Sequence, residues 1–141
     1  MEPEIIFFVD CSISQKTVPM ALRETGVTVK ALVDHFPRET PDVDWLQDVS
    51  LRGWVVLTKD KKIESRPLEI GAIAHTGARV FILVSGNLTS QQMASILINA
   101  LDKIKKVAQG HKPPFIAKVY RNGRVQVWRN RQQLLKVIKN I

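Results

Sequence analysis

The sequence predicts an α/β fold: a three-layer α/β/α sandwich with a mostly parallel central sheet, followed by a C-terminal β-hairpin and a short helix. The apolar runs at residues 5–9 and 55–57 show no polar alternation, which is typical of strands buried on both faces. Strand-like and helix-like segments alternate over most of the chain, and this alternation favours parallel neighbours. Pro113-Pro114 ends the alternation, which separates the hairpin and last helix from the rest.

Five elements are predicted in the first part of the chain. The first helix begins near Thr17, a favoured capping residue, and ends at Gly26, whereas the second begins at Asp42 and ends before Gly53. The loop before Asp42 is polar and contains prolines. The order is strand, helix, strand, helix, strand, at residues 4–9, 17–26, 27–33, 42–51 and 54–58.

The second part of the chain contains the best-defined helix. It starts with a capping-box pattern, Thr89 followed by Gln92, and carries apolar residues at helical spacing up to Gly110. Asn122-Gly123 then separates two apolar runs, which predicts a tight hairpin turn. The predicted order is helix, strand, helix, two hairpin strands and an amphipathic helix, at residues 67–77, 79–84, 89–110, 115–120, 125–128 and 130–141.

Length and composition predict one domain, residues 1–141, with a core at about 4–110 and the hairpin and last helix at about 113–141. The hydrophobic content of 45% is ordinary, and no apolar run approaches a membrane span. The acidic first four residues and a single cysteine, Cys11, favour a cytoplasmic protein. The formal net charge of +8 favours a polyanionic partner, with nucleic acid as the leading candidate.

Three aspartates are predicted to meet at the carboxyl ends of the strands. Asp10 follows the first strand, Asp60 follows the third, and Asp42 opens a helix. If the first and third strands are neighbours, a cleft forms between them. Converging carboxylates repel one another, and a divalent ion with hard oxygen ligands, Mg²⁺ or Mn²⁺, is the usual remedy. Metal-assisted hydrolysis of a phosphodiester is the reaction that acids in basic surroundings imply, although each Asp alone can be only a turn or cap residue.

These residues resemble the PIN-like nuclease domains, in particular the short branch related to VapC-type toxin ribonucleases. The similarity rests on Phe8-Val9-Asp10, on Asp42 leading into Asp44-Trp45, and on Leu57-Thr58-Lys59-Asp60, over roughly residues 4–110. In that family, acids at strand ends bind Mg²⁺ or Mn²⁺ and cleave RNA. The resemblance implies that Asp10, Asp42 and Asp60 are metal ligands and that the Thr58 hydroxyl helps to hold the site.

One position departs from the family pattern. Many PIN domains have an acid two residues after the Thr-x-Asp aspartate, and here that position is Lys62. The departure argues against a full two-metal site, and Glu64 is a less favoured substitute. The predicted nucleic-acid contacts beside the acids are Lys59, Lys61, Lys62 and Arg66.

The C-terminal hairpin offers further cations and two aromatic side chains. Arg121, Arg124, Arg129 and Arg131 extend the basic surface. Tyr120 and Trp128 could stack on unpaired bases, but their alternating positions on a strand favour core packing.

Two functions remain open at this stage. The first is a metal-dependent endoribonuclease, with the toxin half of a toxin–antitoxin pair as its biological form and an antitoxin protein as its partner. The second is a catalytically weak or inactive PIN-like module that binds RNA or protein, which the cation at Lys62 favours. The long helix and the hairpin also offer surfaces for a homodimer.

Overall fold

The computed structural model describes residues 4–139, apart from the side chain of Glu64. Within them, six strands form one sheet in the order β2-β1-β3-β4-β5-β6. β1 to β5 are parallel to their neighbours, and β6 is antiparallel to β5. The strands are β1 (Ile6–Val9), β2 (Thr28–Ala31), β3 (Val55–Thr58), β4 (Arg79–Val84), β5 (Phe115–Tyr120) and β6 (Val125–Arg129). The helices are α1 (Thr17–Glu24), α2 (Asp42–Leu51), α3 (Lys62–Ser65), α4 (Pro67–Thr76), α5 (Ser90–Gly110) and α6 (Arg131–Lys139).

Helices cover both faces of the sheet, which confirms the predicted α/β/α sandwich. Alternate residues of each strand point to opposite faces, so the strands contribute to two separate cores. On one face, side chains such as Phe7 and Leu57 pack against α1 and α5. On the other face, which we call the acidic-site face, Phe8 and Val56 pack against α2, α4 and α6. Because β1 and β3 are buried on both faces, their sequences are continuously apolar.

The structure corrects two local predictions and adds one short helix. The second strand ends at Ala31, and Leu32–Asp34 form a 3₁₀ turn, because the Val33 N–H bonds to Gln15 Oε1 at 3.1 Å and no longer to a strand. The first helix is not capped by Thr17: the Thr17 N–H donates to Ser14 Oγ at 3.0 Å. The short helix α3 was not predicted, since four residues are too few for a hydrophobic period.

The C-terminal part follows its local sequence signals. The capping box between Thr89 and Gln92 is present at the start of α5. In the hairpin, Gly123 has φ of +87°, a conformation that glycine adopts without steric strain, and the Arg124 N–H donates to Asn122 Oδ1 at 3.0 Å. The predicted last helix is present to Lys139, and the rest of its predicted range lies outside the described residues. In the described part of the chain, no helix is long and apolar enough to cross a membrane.

Candidate active site

A buried pair of polar side chains lies at the carboxyl ends of β1 and β3, which are neighbours in the interior of the sheet. Val9 of β1 is opposite Leu57 of β3, and the Asp10 N–H donates to the Leu57 carbonyl over 3.4 Å. Asp10 and Thr58 therefore lie side by side. Thr58 Oγ1 donates to Asp10 Oδ2 at 2.5 Å, and both side chains are buried, at 4% and 0% exposure. The structure brings these two predicted residues into direct contact.

Ser12, which the sequence analysis did not single out, holds the other oxygen of Asp10. Both its N–H and its hydroxyl donate to Asp10 Oδ1, at 3.1 and 2.5 Å. Its Oγ also accepts from the Lys59 N–H at 2.7 Å, which ties the loop after β1 to the loop after β3. The Asp-x-Ser pattern is typical of a turn. Its contact with the loop after β3 was not evident in the sequence, because that contact requires β3 to be the neighbour of β1.

Burial dominates the electrostatics of Asp10. It raises the pKa of this carboxyl from 3.8 to about 6, because the charged form loses its solvation. The hydrogen bonds from Ser12 and Thr58 act in the opposite direction, and the negative charge of Asp42 raises the pKa further. Asp10 is therefore an oriented carboxylate at neutral pH that has hydrogen-bond donors and no cation against it in the described contacts.

Asp42 lies in the first turn of α2, where the predicted helix start placed it. Trp45 Nε1 donates to Asp42 Oδ1 at 3.1 Å. Partial burial is the main cause that raises the pKa of Asp42, and the negative charges of Asp60 and Glu69 add to it. The Trp45 hydrogen bond and the Lys62 ammonium lower it. Asp42 is thus at the centre of a group of acids contributed by α2, α4 and the loop after β3.

The loop after β3 is folded back onto Thr58. The Asp60 N–H donates to Thr58 Oγ1 at 3.1 Å, and the Lys62 N–H donates to Asp60 Oδ1 at 2.9 Å. Asp60 is half-buried and Lys62 is exposed. Thr58 therefore links Asp10 and Asp60 through one hydroxyl group, which donates to the first and accepts from the backbone of the second.

Glu69 is a fourth acid that the sequence analysis missed. It lies in the first turn of α4, is only 8% exposed, and influences Asp42 electrostatically. Its Oε1 is 4.0 Å from Arg66 Nη1, and its Oε2 is buried with no hydrogen-bond partner among the described residues. A buried carboxylate oxygen without a partner is unusual and costly, which points to a missing ligand or water. The sequence did not single out Glu69, because an acid shortly after a proline is also typical of an ordinary helix start.

Four cations lie in the segment that connects β3 to α4, as the sequence analysis placed them: Lys59, Lys61, Lys62 and Arg66. Lys59 is half-buried, and the other three are exposed. Two of them act on acids of the site, because Lys62 lowers the pKa of Asp42 and Arg66 approaches Glu69. Contact with nucleic acid stays a prediction for all four. The side chain of Glu64, the suggested substitute acid, lies outside the described residues.

The acids are ligands of the type that hard cations prefer, but in the described structure they are too far apart to share one ion. Carboxylate oxygens suit Mg²⁺ or Mn²⁺, and the unpartnered Glu69 Oε2 is an oxygen that a cation would satisfy. Among the side chains that the structure describes, however, no three His, Cys, Asp or Glu are close enough to share a metal ion. The donor set therefore fits a divalent ion, and the acids would have to move closer to bind it.

These acids do not line either of the two larger cavities found among the described residues. One, of about 680 Å³, is at the opposite edge of the sheet, where Val55 and Arg79 begin their strands. The other, of about 690 Å³, is an apolar depression between α2 and α4, lined by residues such as Val43 and Ala72. The chemistry of the buried acids, rather than cavity size, identifies the candidate site.

Comparison with known proteins agrees with the α/β fold. Residues 5–85 match the family described as PIN-like domain. Over 124 residues, the chain is 28% identical to "Putative ribonuclease VapC45" of Mycobacterium tuberculosis (strain ATCC 25618 / H37Rv), an alignment that covers 85% of this chain and 89% of that protein. No solved structure matches the chain. The matched family segment contains every acid described above, from Asp10 to Glu69.

Proposed function

The chain belongs to the PIN-like domain family, and on that premise we propose that it is a metal-dependent endoribonuclease that hydrolyses RNA phosphodiesters. The observation that carries the proposal is the buried Asp10 carboxylate, oriented through both oxygens and placed near the acids around Asp42. Similarity to a protein named as a ribonuclease supports the substrate class. A carboxylate kept buried without a cation destabilises the fold, which is a disadvantage that a bound ion would remove.

We assign the residues as follows. Asp10, Asp42 and Asp60 would hold Mg²⁺ or Mn²⁺, and Glu69 Oε2 adds a buried acceptor to the same group. A bound divalent ion would lower the pKa of a water molecule and polarise the phosphodiester. Thr58 and Ser12 orient Asp10 by their hydrogen bonds.

Lys62 and Arg66 are assigned to the substrate phosphate, together with Lys59 and Lys61. Each already faces an acid of the site or stands beside one in the chain. When the acids are neutralised by a metal ion, the ammonium of Lys62 loses its attraction to Asp42 and becomes available to a phosphate oxygen. This is the role we propose for the cation that replaces the family's acid.

Cleavage of RNA by the purified protein tests the proposal. With Mg²⁺ or Mn²⁺ the parent is expected to cleave a single-stranded RNA, and Asp10→Asn or Asp60→Asn is expected to lower the rate by at least about a hundredfold, as loss of a catalytic group does. Asp102→Asn, the same change on an exposed position of α5, is the matched control and should keep the parent rate. If the Asp10 and Asp60 variants cleave as fast as the parent, the assignment is wrong.

A PIN-like module that binds RNA without cutting it is the second candidate. It is favoured by the cation at position 62 and by the separation of the acids in the described structure. Calorimetric titration with Mn²⁺ separates the two candidates. Binding that disappears in Asp10→Asn supports the nuclease, whereas absence of binding at millimolar Mn²⁺ supports the module.

The similarity to a VapC protein also carries a proposal about partners. An antitoxin would cover the acidic site, and an Arg or Lys of that protein would pair with the carboxylates. Co-purification with the product of an adjacent gene, and loss of cleavage in the complex, would support it. Homodimerisation stays a prediction that sedimentation can test.

A further inference from the structure

The positive charge of the chain is concentrated at one end of it. Residues 103–141 contain eleven of the 21 Lys and Arg and none of the 13 Asp and Glu. The remaining residues, 1–102, therefore have a net charge of −3, although the whole chain has +8. The net positive charge therefore belongs to the last turns of α5, the hairpin and α6.

Within that basic region, two aromatic rings are covered by cations. The Arg124 guanidinium carbon is 4.3 Å from the centre of the Tyr120 ring. The Arg129 guanidinium carbon is 3.8 Å from the Trp128 ring, and Lys118 Nζ is 4.6 Å from the same ring. We call these five residues the cation–aromatic strip.

The strip lies on the acidic-site face of the sheet. Thr58 is paired with Ile82 of β4, and Ile82 with Lys118 of β5, so these three side chains point to the same face in one row. Two strand spacings, about 10 Å, separate the backbone of Lys118 from that of Thr58. Tyr120 follows two residues later on the same face, at the carboxyl end of β5. The strip therefore lies on the same face of the sheet as Thr58, two strands away.

The two aromatic residues of the strip are partly exposed. Tyr120 and Trp128 are half-buried, and Arg124 is exposed. β6 is the edge strand, and its pairing is irregular: Ile116 pairs with Arg129 and Ala117 with Val127, which leaves Trp128 as an extra residue, as in a β-bulge. Bulges re-aim side chains near functional sites. Core packing was predicted for both aromatic residues. Trp128 does pack against the core of the acidic-site face, and both side chains are half-buried with cations over their rings.

We propose that the cation–aromatic strip binds single-stranded RNA and holds the substrate of the acidic site. This inference rests on the proposed function for its substrate and adds to it that the bases are unpaired. An Arg stacked on an aromatic ring presents a second flat surface, on which a base can stack while the guanidinium N–H groups reach a phosphate. Stacking of this kind requires bases that are not paired in a duplex.

Binding is tested in the Asp10→Asn variant in EDTA, so that no cleavage interferes. The fluorescence anisotropy of a labelled 12-nucleotide RNA of mixed sequence gives Kd for the single strand and for its duplex. Tyr120→Leu and Trp128→Leu are each expected to weaken single-strand binding by about tenfold, the effect of losing one stacked base. RNA is also expected to quench the fluorescence of Trp128, which is more exposed than Trp45 and Trp54, and the quenching should vanish in Trp128→Leu.

Charge-matched variants separate the strip from a general attraction. Arg124→Ala/Arg129→Ala removes two cations of the strip, and Lys103→Ala/Lys106→Ala removes two exposed cations of α5, on the other face of the sheet. The first pair should weaken binding at least about tenfold, and the second less than about twofold. Neither pair relies on a buried side chain, so folding of both can be verified by circular dichroism.

Three results would overturn the inference: equal losses in the two charge-matched variants, equal affinity for the duplex, or displacement of the RNA by polyglutamate at equal charge. Failure of the proposed nuclease is a distinct outcome. A protein that binds RNA through the strip but never cleaves it would refute the proposed function and leave only the RNA-binding part of this inference standing. A protein that cleaves RNA but does not bind it through the strip would refute only the strip.

Discussion

Residues 1–102 and residues 103–141 share one sheet but have opposite charge. The first region contains all the acids, including the group around Asp42, and the second contains the cation–aromatic strip and no acid. Carboxylates repel a phosphate backbone and cations attract it, so the two regions are expected to respond oppositely to a polyanion. The whole-chain charge of +8 describes neither region, and we expect substitutions at the acids and at the strip to have separate effects.

Neutralising Asp10 is expected to give the largest effect, and only in the first region. The folded pKa of about 6 is higher than the ordinary value of 3.8, so the folded protein binds more protons than the unfolded chain between these values. This group therefore destabilises the fold fully above pH 6, by about 3 kcal/mol, and the penalty disappears as the pH falls toward 4. Urea unfolding of the metal-free protein from pH 4 to 8 should show the trend.

In Asp10→Asn that contribution is absent. The difference in unfolding free energy between variant and parent should rise with pH between 4 and 6 and then level off. RNA affinity at the strip should stay within about twofold of the parent. Parallel pH profiles for the two proteins would contradict the assigned cause.

Removing the Thr58 hydroxyl is expected to give the next largest effect. Thr58→Val keeps the shape but leaves Asp10 Oδ2 buried without its donor, which should lower the unfolding free energy by about 2 kcal/mol at pH 8. The loss should shrink at pH 4, where Asp10 is protonated. Thr76→Val removes a hydroxyl that donates to the Ala72 carbonyl inside α4 and serves as the control, with an expected loss of about 1 kcal/mol at both pH values.

Replacing Glu69 is expected to give the smallest change in stability and an informative change in metal response. Glu69→Gln removes a charge that raises the pKa of Asp42, so the metal-free protein should be more stable by less than about 1 kcal/mol. The rise in melting temperature produced by Mn²⁺ should be smaller than in the parent. An unchanged Mn²⁺ response, equal to that of Asp102→Asn, would remove Glu69 from the site.

Local sequence patterns were sufficient for most of the fold. Continuous apolar runs identified β1 and β3, and the capping box identified α5, because these signals arise from burial and from hydrogen bonds between near neighbours. α3 was not predicted because it is too short to show the helical period of apolar residues. The end of β2 was predicted too late in the chain, because the Val33 N–H donates to the side chain of Gln15, which is distant in sequence, and not to a neighbouring strand.

Local sequence patterns also predicted part of the candidate site. Asp10, Asp42 and Asp60 stand at element ends, which the sequence marks. Ser12 contacts Thr58, and Glu69 acts on Asp42, only because the fold brings them together. In the sequence, Ser12 is typical of a turn and Glu69 of a helix start, so neither was singled out. The proximity of the strip to the acids depends on the pairing of β4 with β5, which brings together residues 36 positions apart.

The backbone N–H of Lys62 donates to Asp60 Oδ1, and this bond determines which side chains position 62 can have. The turn is held by the N–H of position 62, which every residue except proline possesses, while the Lys62 side chain is exposed. The backbone of the loop can therefore stay as it is with another side chain at this position. Lys62→Asp would exchange a cation that lowers the pKa of Asp42 for an additional carboxylate, so the charge of the acid group can change without a change in the turn that holds Asp60.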